Sequence, residues 1–531
     1  MKPLHLILLS ILFFACSGNP EHEEVPAFED RDISLEEKMK IAISEAYLTQ
    51  IGLPDSTYQF LKSYYESRSF SPRWINDSTL TNTGEKLKVV LSQDYMIGIP
   101  KGRTVQVKTE NYIQDEINIT LSLAQEIHDL KHGFIDYEAK KAKPRGMVDP
   151  RKLDDLAQFN DEEDIRYQFL KFGPQDSTYV VLGRGLIEMI DKYPLDTTTF
   201  SVKSVKYDTT MATEKARVAL VSKGYLKEGI TDSIGIAEGL TEFQIDNGLK
   251  PDGVIGKYTS KALNESTYRK VERIILAMDK IRGREKRPEK FIYINIPEYK
   301  LRFYANDSLK SDHNIVVGKY ENQTPELTSK LKKIVVYPYW NVPYSISSKE
   351  ILPALKYNTG YLDKHNYKIF KGGEEVDPYT VDWKKIRQNS FPYKVRQEPG
   401  SRNSLGVIKF DFYNEHSVYF HDTPSKGLFG ADVRAYSHGC MRTQNPIDLA
   451  KQVLHYDSVS RYRYNVMRPD SLDSILDRGR DTSSVFNYSI KLMEPIPIFI
   501  EYITVSRNKN QEMVVYLDIY GRDEEYLEIL R

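Results

Sequence analysis

Cys440 is the residue of this sequence best suited to covalent chemistry. It ends the stretch AYSHGC, and the other cysteine of the chain, Cys16, lies near the N-terminus. A thiol reacts as its thiolate, so a catalytic cysteine needs a nearby imidazole or backbone dipoles that favour ionisation. His438 and His421 both precede Cys440 closely enough to supply that imidazole.

His421 is expected at the end of a β-strand. The segment GVIKFDFYNEHSVYFHD, residues 406–422, alternates apolar and polar residues on both sides of a polar turn, which predicts a hairpin. Period-two alternation places Tyr419 and His421 on one side of its second strand. A side chain at a strand end is fixed by the sheet and still meets a ligand. We therefore expect His421 to be the general base.

The turn before Cys440 is expected to stabilise negative charge on a substrate oxygen. Gly439 permits a tight turn, which could point the amide of Cys440 and those of its neighbours at one spot. His438 need not face the sulfur, because it lies only two residues before Cys440. On this interpretation His421 is the base and the turn is the electrophilic clamp.

Length and composition limit the other possibilities. A chain of 531 residues predicts two to four domains. With 40% hydrophobic residues, 28% charged residues and a net charge of −1, the chain has no strong electrostatic bias. Nucleic acid is therefore not expected as a partner.

The N-terminus is typical of a targeting segment. Lys2 precedes an apolar run, residues 4–14, that is too short for a permanent transmembrane helix. The run ends in FFAC, which resembles the lipobox of bacterial lipoproteins and implies acylation of Cys16; an ordinary secretory signal with an incidental cysteine is the alternative. Residues 1–16 are then the signal and lipobox. The polar, acidic residues 17–33 are predicted to be a flexible tether.

The resemblance to lipoproteins implies a periplasmic, lipid-anchored protein. Ser17 follows Cys16, where an aspartate would argue for retention at the inner membrane in some bacteria, so the outer membrane is favoured. In an oxidising compartment structural cysteines normally occur in pairs. With Cys16 acylated, Cys440 has no partner, and a buried inert thiol is the alternative to a reactive one.

Residues 34–205 are predicted to form an α-helical scaffold domain, because apolar residues recur there at helical spacing. Ser34 and Glu37 fit a capping box at the start of its first helix. His128 and His132 lie four residues apart and could face a metal, but no third ligand is nearby, so we expect surface histidines and no metal site.

Residues 213–264 predict three short helices with glycine turns. The pattern resembles the small peptidoglycan-binding domain, on the motif FQ, GL, DGxxG, Thr and Leu. These motif residues are Phe243, Gln244, Gly248, Leu249, Asp252, Gly253, Gly256, Thr259 and Leu263. The module could bind glycan or only space the neighbouring domains.

Residues 288–520 are predicted to form a mostly-β, sandwich-like domain, since FIYINIPEYKLRFYAN, SDHNIVVGK and KLKKIVVYPYWNVP all have strand character. An insertion, residues 345–396, interrupts it. The whole chain is thus predicted to be a multidomain α+β protein.

The segment HDTPSKGLFGADVRAYSHGCMR, residues 421–442, resembles the signature of YkuD-type L,D-transpeptidases. The order of helical scaffold, peptidoglycan-binding module and catalytic β domain resembles the YcbB-like branch of that family. The resemblance implies acyl transfer on peptidoglycan stem peptides without a cofactor. Cys440 would attack the carbonyl of the third stem residue, expel D-alanine and hold a thioester, which an amine of a second stem would take to give a 3→3 cross-link.

The resemblance also implies roles for individual residues. His421 would exchange the protons, with its ring oriented by the backbone carbonyl of Asp422. The amides of His438, Gly439 and Cys440 would form the oxyanion hole.

Four further residues are assigned to substrate binding: Ser437, Tyr419, Arg442 and Trp383. Arg442 could instead brace the turn. The insertion resembles a loop that caps the substrate cleft, in which Trp383 either gates the cleft or anchors the loop's own core.

Motifs do not fix the acceptor. A cross-linking transpeptidase is the leading hypothesis; an L,D-carboxypeptidase, a lipoprotein-anchoring or D-amino acid exchange enzyme, and a non-catalytic peptidoglycan-binding lipoprotein remain open. A papain-like protease is disfavoured, because the histidine precedes the cysteine and no partner asparagine motif follows. The expected partners are stem peptides and glycan, the membrane through the lipid anchor, and cell-wall synthesis proteins.

Overall fold

The computed structural model describes residues 32–44, 54–101, 111–208, 210–463, 472–480 and 487–530. Cys16 and the lipobox lie outside these residues. The chain divides into two compact units, one formed by residues 1–89, 105–124 and 147–159, and the other by residues 90–104, 125–146 and 160–531. The predicted scaffold domain, residues 34–205, therefore contributes to both units.

The first unit is helical and contains one small hairpin. Its elements are α1 (Leu35–Ala42), α2 (Asp55–Ser67), β1 (Ile75–Asn76), β2 (Thr79–Leu80), most of α3 (Asn82–Leu91), the first part of α4 (Tyr112–His132) and α5 (Leu153–Leu156). Ser34 caps α1 by accepting a hydrogen bond from the amide of Glu37 at 3.2 Å, as predicted. Glu116 is buried on α4 and accepts hydrogen bonds from Tyr65 and from the amides of Arg73 and Trp74.

The second unit begins with the end of α3, includes the end of α4, and continues through short strands and helices that precede the β domain. These elements are β3 (Ile135–Asp136), β4 (Lys141–Ala142), α6 (Ile165–Phe169), α7 (Ser177–Lys192), α8 (Ala212–Ser222), α9 (Ser233–Asp246), α10 (Lys257–Leu263) and α11 (Thr267–Arg282). α11 is the linking helix expected from the sequence, and Ser266 caps its N-terminus. In the described residues no helix is long and apolar enough to cross a membrane.

Helices α8, α9 and α10 form the predicted three-helix module. The side-chain amide of Gln244 donates hydrogen bonds to Asp252, Val254 and Thr259, and its oxygen accepts one from the amide of Gly253. The motif residues thus hold the module together internally. Gly248 and Gly253 have positive φ, as expected. Gly256 does not: its φ is −76°, and it serves as the N-cap of α10.

The predicted mostly-β domain is a nine-stranded sheet that closes on itself. Its strands are β5 (Phe291–Asn295), β6 (Lys300–Ala305), β7 (Ser308–Gly318), β8 (Leu327–Val336), β13 (Ile408–Phe412), β14 (Phe420–His421), β15 (Ala435–Ser437), β16 (Met441–Thr443) and β17 (Tyr488–Glu501). The strand order is β15-β7-β16-β14-β13-β8-β17-β5-β6. Closure arises because the long strand β7 also pairs with β6, the strand that directly precedes it in the chain.

The alternation of the sequence accounts for these strands. β5 and β6 form the predicted antiparallel hairpin, and β13 pairs with β14 so that Lys409 lies opposite His421. Ile408, Phe410 and Phe412 all point into the core, as predicted. The other elements of the domain are α15 (Pro446–Arg463), α16 (Leu472–Arg480), β18 (Val505–Arg507), β19 (Met513–Val515) and α17 (Arg522–Ile529).

The insertion between β8 and β13 folds around a core of its own. It contains β9 (Trp340–Val342), α12 (Tyr344–Ile346), α13 (Leu352–Tyr357), α14 (Tyr361–Lys364), β10 (Tyr367–Lys371), β11 (Glu374–Val376) and β12 (Lys394–Gln397), with a π-helical turn at Ser347–Ile351. The four strands form a separate sheet in the order β11-β10-β12-β9. Its apolar side chains form a cluster distinct from that of the closed sheet. The insertion is therefore a small subdomain rather than a simple loop.

Candidate active site

The candidate site lies where β14 and β16 run side by side in parallel. His421 lies opposite Arg442, and Phe420 lies opposite Met441. The amide of Met441 donates to the carbonyl of Tyr419 at 3.0 Å. Because Phe420 and Met441 are buried in the core of the closed sheet, alternation brings four side chains together on the other face. These are Tyr419, His421, Cys440 and Arg442.

His421 is only 5% exposed, and its ring is held in place. Its Nδ1 hydrogen-bonds to the carbonyl of Asp422, the atom that the sequence analysis selected for this role. The carboxylate of Asp422 accepts from the amide of Val407 at 3.0 Å and pairs with Lys426. Burial, followed by the positive charge of Arg442, lowers the pKa of His421 to about 3. The imidazole is therefore neutral at any ordinary pH.

Cys440 is partly buried beside Tyr419. Burial raises the pKa of its thiol. Hydrogen bonds from the backbone and the hydroxyl of Tyr419, and the charges of Lys409 and Arg442, act in the opposite direction. The resting state is thus a neutral thiol and, on the same face of the sheet, a neutral imidazole, so attack by the sulfur would require the thiol to lose its proton first.

Lys409 is a site residue that the sequence analysis missed. It lies opposite His421 in the antiparallel pair of β13 and β14, its Nζ is 4.1 Å from the centre of the Tyr419 ring, and it pairs with Asp411 at 3.2 Å. The register of the hairpin could have indicated Lys409, because a lysine between Ile408 and Phe410 must point to the same face as Tyr419 and His421.

The turn that carries Cys440 is closed by Ser437. Its Oγ donates to the carbonyl of Cys440 and accepts from the amide of Gly439 at 3.2 Å. Ser437, predicted to bind substrate, is buried, and its hydroxyl closes the turn. The amide of Gly439, predicted to be part of the oxyanion hole, donates to Ser437 here. Gly439 has φ of +109°, a conformation that requires glycine.

A buried network of hydrogen bonds supports this turn. The hydroxyl of Thr324 donates to the carbonyl of Gly439 at 2.8 Å and accepts from the amide of Gly318 at 2.9 Å. The Tyr520 hydroxyl in turn accepts from the amide of Thr324 and donates to the carbonyl of Gly318. In the described part of the chain, the amides of His438 and Cys440 have no acceptor, which leaves them available for an oxyanion.

The side chain of His438 faces the insertion rather than the sulfur. Its Nε2 lies 2.6 Å from Oε1 of Glu350, in the π-helical turn. Sequence gave no indication of this pair, because its members are separated by most of the insertion and part of the closed sheet. The assignment of the base to His421 agrees with this placement.

Trp383 does not reach the candidate site. It is 4% exposed within the core of the insertion, its Nε1 donates to the carbonyl of Pro378 at 2.9 Å, and its ring packs on Tyr393. Of the two roles considered for Trp383, this placement favours the anchor of the insertion's own core. Trp340 at the base of the insertion is the one that hydrogen-bonds to the Tyr419 hydroxyl.

His128 and His132, the other histidines considered as ligands, have ring centres 4.7 Å apart. Across the described ranges no group of three or more histidine, cysteine or acidic side chains is arranged to hold a metal ion.

The thiol of Cys440, the buried neutral imidazole of His421 and the two free amides of the turn are the kinds of groups that acyl transfer through a cysteine requires. Residues 289–460 match the YkuD family, the L,D-transpeptidase catalytic domain. Residues 289–460, which include His421 and Cys440, are therefore similar to the L,D-transpeptidase catalytic domain.

A relative from Haemophilus influenzae, whose name places it provisionally among the L,D-transpeptidases, is 35% identical over 235 residues. That alignment covers 44% of this chain and 45% of the relative, so the chain spans less than half the length of the curated relative it matches.

Two solved structures are also similar to parts of the chain. An L,D-transpeptidase from Stackebrandtia nassauensis is 11% identical with a TM-score of 0.17, over 49% of this chain and 89% of that one. An L,D-transpeptidase from Xylanimonas cellulosilytica is 11% identical with a TM-score of 0.15, over 58% of this chain and 98% of that one.

Proposed function

We propose that this protein is a peptidoglycan L,D-transpeptidase that forms 3→3 cross-links through a thioester on Cys440. The observation that carries the proposal is the parallel pairing of β14 with β16, whose register puts His421 on the same face as Cys440, the residue immediately before β16. Burial keeps the imidazole of His421 unprotonated, so its ring retains the lone pair that a general base needs.

The first half of the reaction acylates the enzyme. His421 takes the thiol proton, and the sulfur of Cys440 attacks the carbonyl of the third stem residue. The amides of His438 and Cys440 bind the oxygen that becomes negative, and the cations of Lys409 and Arg442 add a favourable field. The C–N bond to the terminal D-alanine breaks, and the leaving amine takes the proton from His421.

Arg442 is suited to bind the carboxylate of the leaving residue. It lies on the same face as Cys440, and in the described residues its guanidinium makes no hydrogen bond or ion pair. An unpaired guanidinium beside a nucleophile favours an anionic substrate group, and its planar donors match a carboxylate. This favours the substrate-binding role of Arg442 over a role in bracing the turn, which Ser437 and Thr324 already fulfil.

In the second half of the reaction an amine of another stem attacks the thioester. A C–N bond forms, the C–S bond breaks, and the proton lost by the nitrogen returns through His421 to the sulfur. Attack by water on the same thioester would give an L,D-carboxypeptidase instead.

Product analysis tests the proposal. Purified protein is incubated with disaccharide-tetrapeptide, and the products are identified by tandem mass spectrometry. We expect a cross-linked dimer that has lost one D-alanine, and no dimer with Cys440→Ala. Release of disaccharide-tripeptide alone would show a carboxypeptidase, and binding of peptidoglycan without any product would show a non-catalytic wall-binding protein.

The proposal extends to the location of the protein. Acylation of Cys16 would tether it to the periplasmic face of the outer membrane through residues 17–33, next to peptidoglycan, with the three-helix module as a second contact with the wall. Metabolic labelling with an alkyne fatty acid tests this. Label in the outer-membrane fraction that Cys16→Ala abolishes is the expected result, and an unlabelled, freely released protein would contradict it.

A further inference from the structure

Glu350 is a carboxylate beside the nucleophile's turn that the reaction described above does not use. It lies in the π-helical turn of the insertion, and π-helical turns recur at functional sites. Its Oε1 contacts Nε2 of His438 at 2.6 Å, yet its side chain is 53% exposed. The carboxylate of Glu350 is thus held against His438, which lies two residues before Cys440, and it is still open to solvent.

An aromatic wall, formed by Tyr361, Tyr367 and Trp340, connects Glu350 to the nucleophile. Tyr361 and Tyr367 stack with their ring centres 6.3 Å apart, and Trp340 lies 6.3 Å from Tyr367. Trp340 in turn hydrogen-bonds to Tyr419, which contacts the sulfur of Cys440.

At the other end of the wall, the charge of Glu350 acts on Tyr361. Burial is the main reason that the pKa of Tyr361 is raised, and the carboxylate of Glu350 adds to it. The residues from Cys440 through the aromatic wall to Glu350 and His438 therefore form one row of neighbouring side chains that runs from the closed sheet to the insertion.

The two ends of this row of side chains differ in charge. Lys409 and Arg442 lie beside Cys440 and His421, whereas Glu350 and three aromatic rings lie toward the insertion. Carboxylates and aromatic faces attract ammonium groups, and cations repel them. The charge distribution thus separates a region suited to an anionic leaving group, beside Cys440, from a region suited to a cationic acceptor, beside Glu350.

We propose that Glu350, positioned by His438, binds the ammonium group of the acceptor and so directs the thioester to a cationic amine rather than to water. This inference rests on the proposed function, since it concerns the second half of the same reaction. Glu350 is here a specificity-determining residue, and His438 is a positioning residue that acts through it.

The proton balance follows from the charge of the acceptor. A side-chain amine carries an extra proton at neutral pH, because its ordinary pKa is about 10.4. The ammonium bound at Glu350 releases that proton to solvent through the carboxylate and His438, and the free amine then attacks the thioester. Its nitrogen forms the C–N bond as the C–S bond breaks, and its second proton passes through His421 to Cys440. The net change is thioester plus ammonium to amide, thiol and one released proton.

The contact with His438 has a purely structural alternative, in which it only fastens the insertion to the turn. A structural fastening would affect every acceptor alike, and acylation too, because the same turn carries the amides that bind the oxyanion. Charge selection would affect only acceptors that carry positive charge. The two readings therefore differ in a measurable ratio.

The test compares two acceptors on the preformed thioester. The full-length enzyme is acylated with disaccharide-tetrapeptide, then mixed with Nα-acetyl-D-lysine, whose side-chain amine is charged at neutral pH, or with methoxyamine, which is neutral there. Mass spectrometry gives the ratio of amide to hydrolysed product. We expect Glu350→Gln to lower this ratio about tenfold for acetyl-lysine and to leave it unchanged for methoxyamine.

Two variants sharpen the comparison. Glu350→Asp keeps the charge and is expected to recover part of the ratio for acetyl-lysine. Glu375→Gln removes the same charge from another exposed position in the insertion, where Glu375 pairs with Lys368 at 3.0 Å, and is expected to change neither ratio.

Equal losses with both acceptors, or slower thioester formation in Glu350→Gln, would overturn the inference and leave Glu350 as a fastening only. Absence of any thioester in the wild-type enzyme would instead overturn the proposed function, and this inference with it.

Discussion

His421 and Arg442 lie directly opposite each other on the parallel strands β14 and β16. A guanidinium next to a buried imidazole opposes its protonation, and together with burial it brings the pKa of His421 to about 3. The same cation stabilises a thiolate on Cys440, which precedes Arg442 by two residues on the same face. One register in the sheet thus favours both the free base and the charged nucleophile.

The first prediction separates the two histidines. His421→Ala is expected to abolish acylation of Cys440, because no other described group next to the thiol can accept its proton. His438→Ala is expected to reduce acylation only partly, since its amide survives truncation of the side chain. Stopped-flow acylation by a slowly hydrolysed β-lactam gives both rate constants. Equal and complete losses would show that the base is assigned wrongly.

The second prediction concerns pH. Because the pKa of His421 is lowered to about 3, the wild-type acylation rate is not expected to fall as the pH drops through about 6.5, where an ordinary histidine becomes protonated. Arg442→Gln removes the largest electrostatic cause of the low pKa. The acid limb of the profile should then move to higher pH while staying below about 6.5, since burial remains the main cause.

Lys333→Met provides a matched control for that profile. Lys333 lies on the neighbouring strand β8 and pairs with Asp411 at 3.1 Å. It is not among the groups that shift the pKa of His421. Its removal should leave the acid limb in place. A profile of Arg442→Gln that overlays the wild type would mean that the guanidinium does not act on His421.

The third prediction tests the conformation of the turn. Gly439→Ala is expected to cost about 1–3 kcal/mol, because a φ of +109° is strained for any residue with a Cβ. The added Cβ would meet its nearest neighbours at 3.6 Å, an ordinary contact, so strain rather than a clash is the cause. Acylation should fall sharply, since the turn sets the direction of the Cys440 amide.

Gly430→Ala is the control for this substitution. A Cβ there would meet no atom within 4 Å, and the residue has no positive φ. Thermal unfolding should show no loss for Gly430→Ala and a clear loss for Gly439→Ala. Similar melting temperatures for the two variants would contradict the strained turn.

The fourth prediction concerns Trp383. Trp383 anchors the core of the insertion. Trp383→Ala is therefore expected to lower the stability of the subdomain by about 3–5 kcal/mol and to open residues 345–396 to limited proteolysis. Tyr379→Ala, at an exposed position nearby, should leave the protease resistance unchanged. A protease-resistant Trp383→Ala with altered acylation would favour the gate that the sequence analysis considered.

The part of the site that is local in sequence could be predicted. Tyr419 and His421 follow from one alternating hairpin, Cys440 follows from a motif of four residues, and the role of the Asp422 carbonyl follows only from the resemblance to L,D-transpeptidases. Period-two alternation decides the face of each side chain before any tertiary contact forms. The hairpins and the linking helix α11 were predictable for the same reason.

Residues that meet only through the tertiary fold could not be predicted. Glu350 reaches His438 from the insertion, and Thr324 reaches Gly439 from a loop before β8. Sheet closure depends on the bend of β7, which has no signature in the residue pattern. The contact of Ser437 could not be predicted because its hydroxyl could face either substrate or its own turn, and only the backbone path decides between them.

The most direct test of the central claim is the intact mass of the protein after brief exposure to disaccharide-tetrapeptide. The account predicts an adduct equal to the substrate minus D-alanine, located on the peptide that contains Cys440, cleaved by hydroxylamine as a thioester, and missing from Cys440→Ala. Cross-linked product formed at the wild-type rate by Cys440→Ala, or an adduct on another residue, would contradict it.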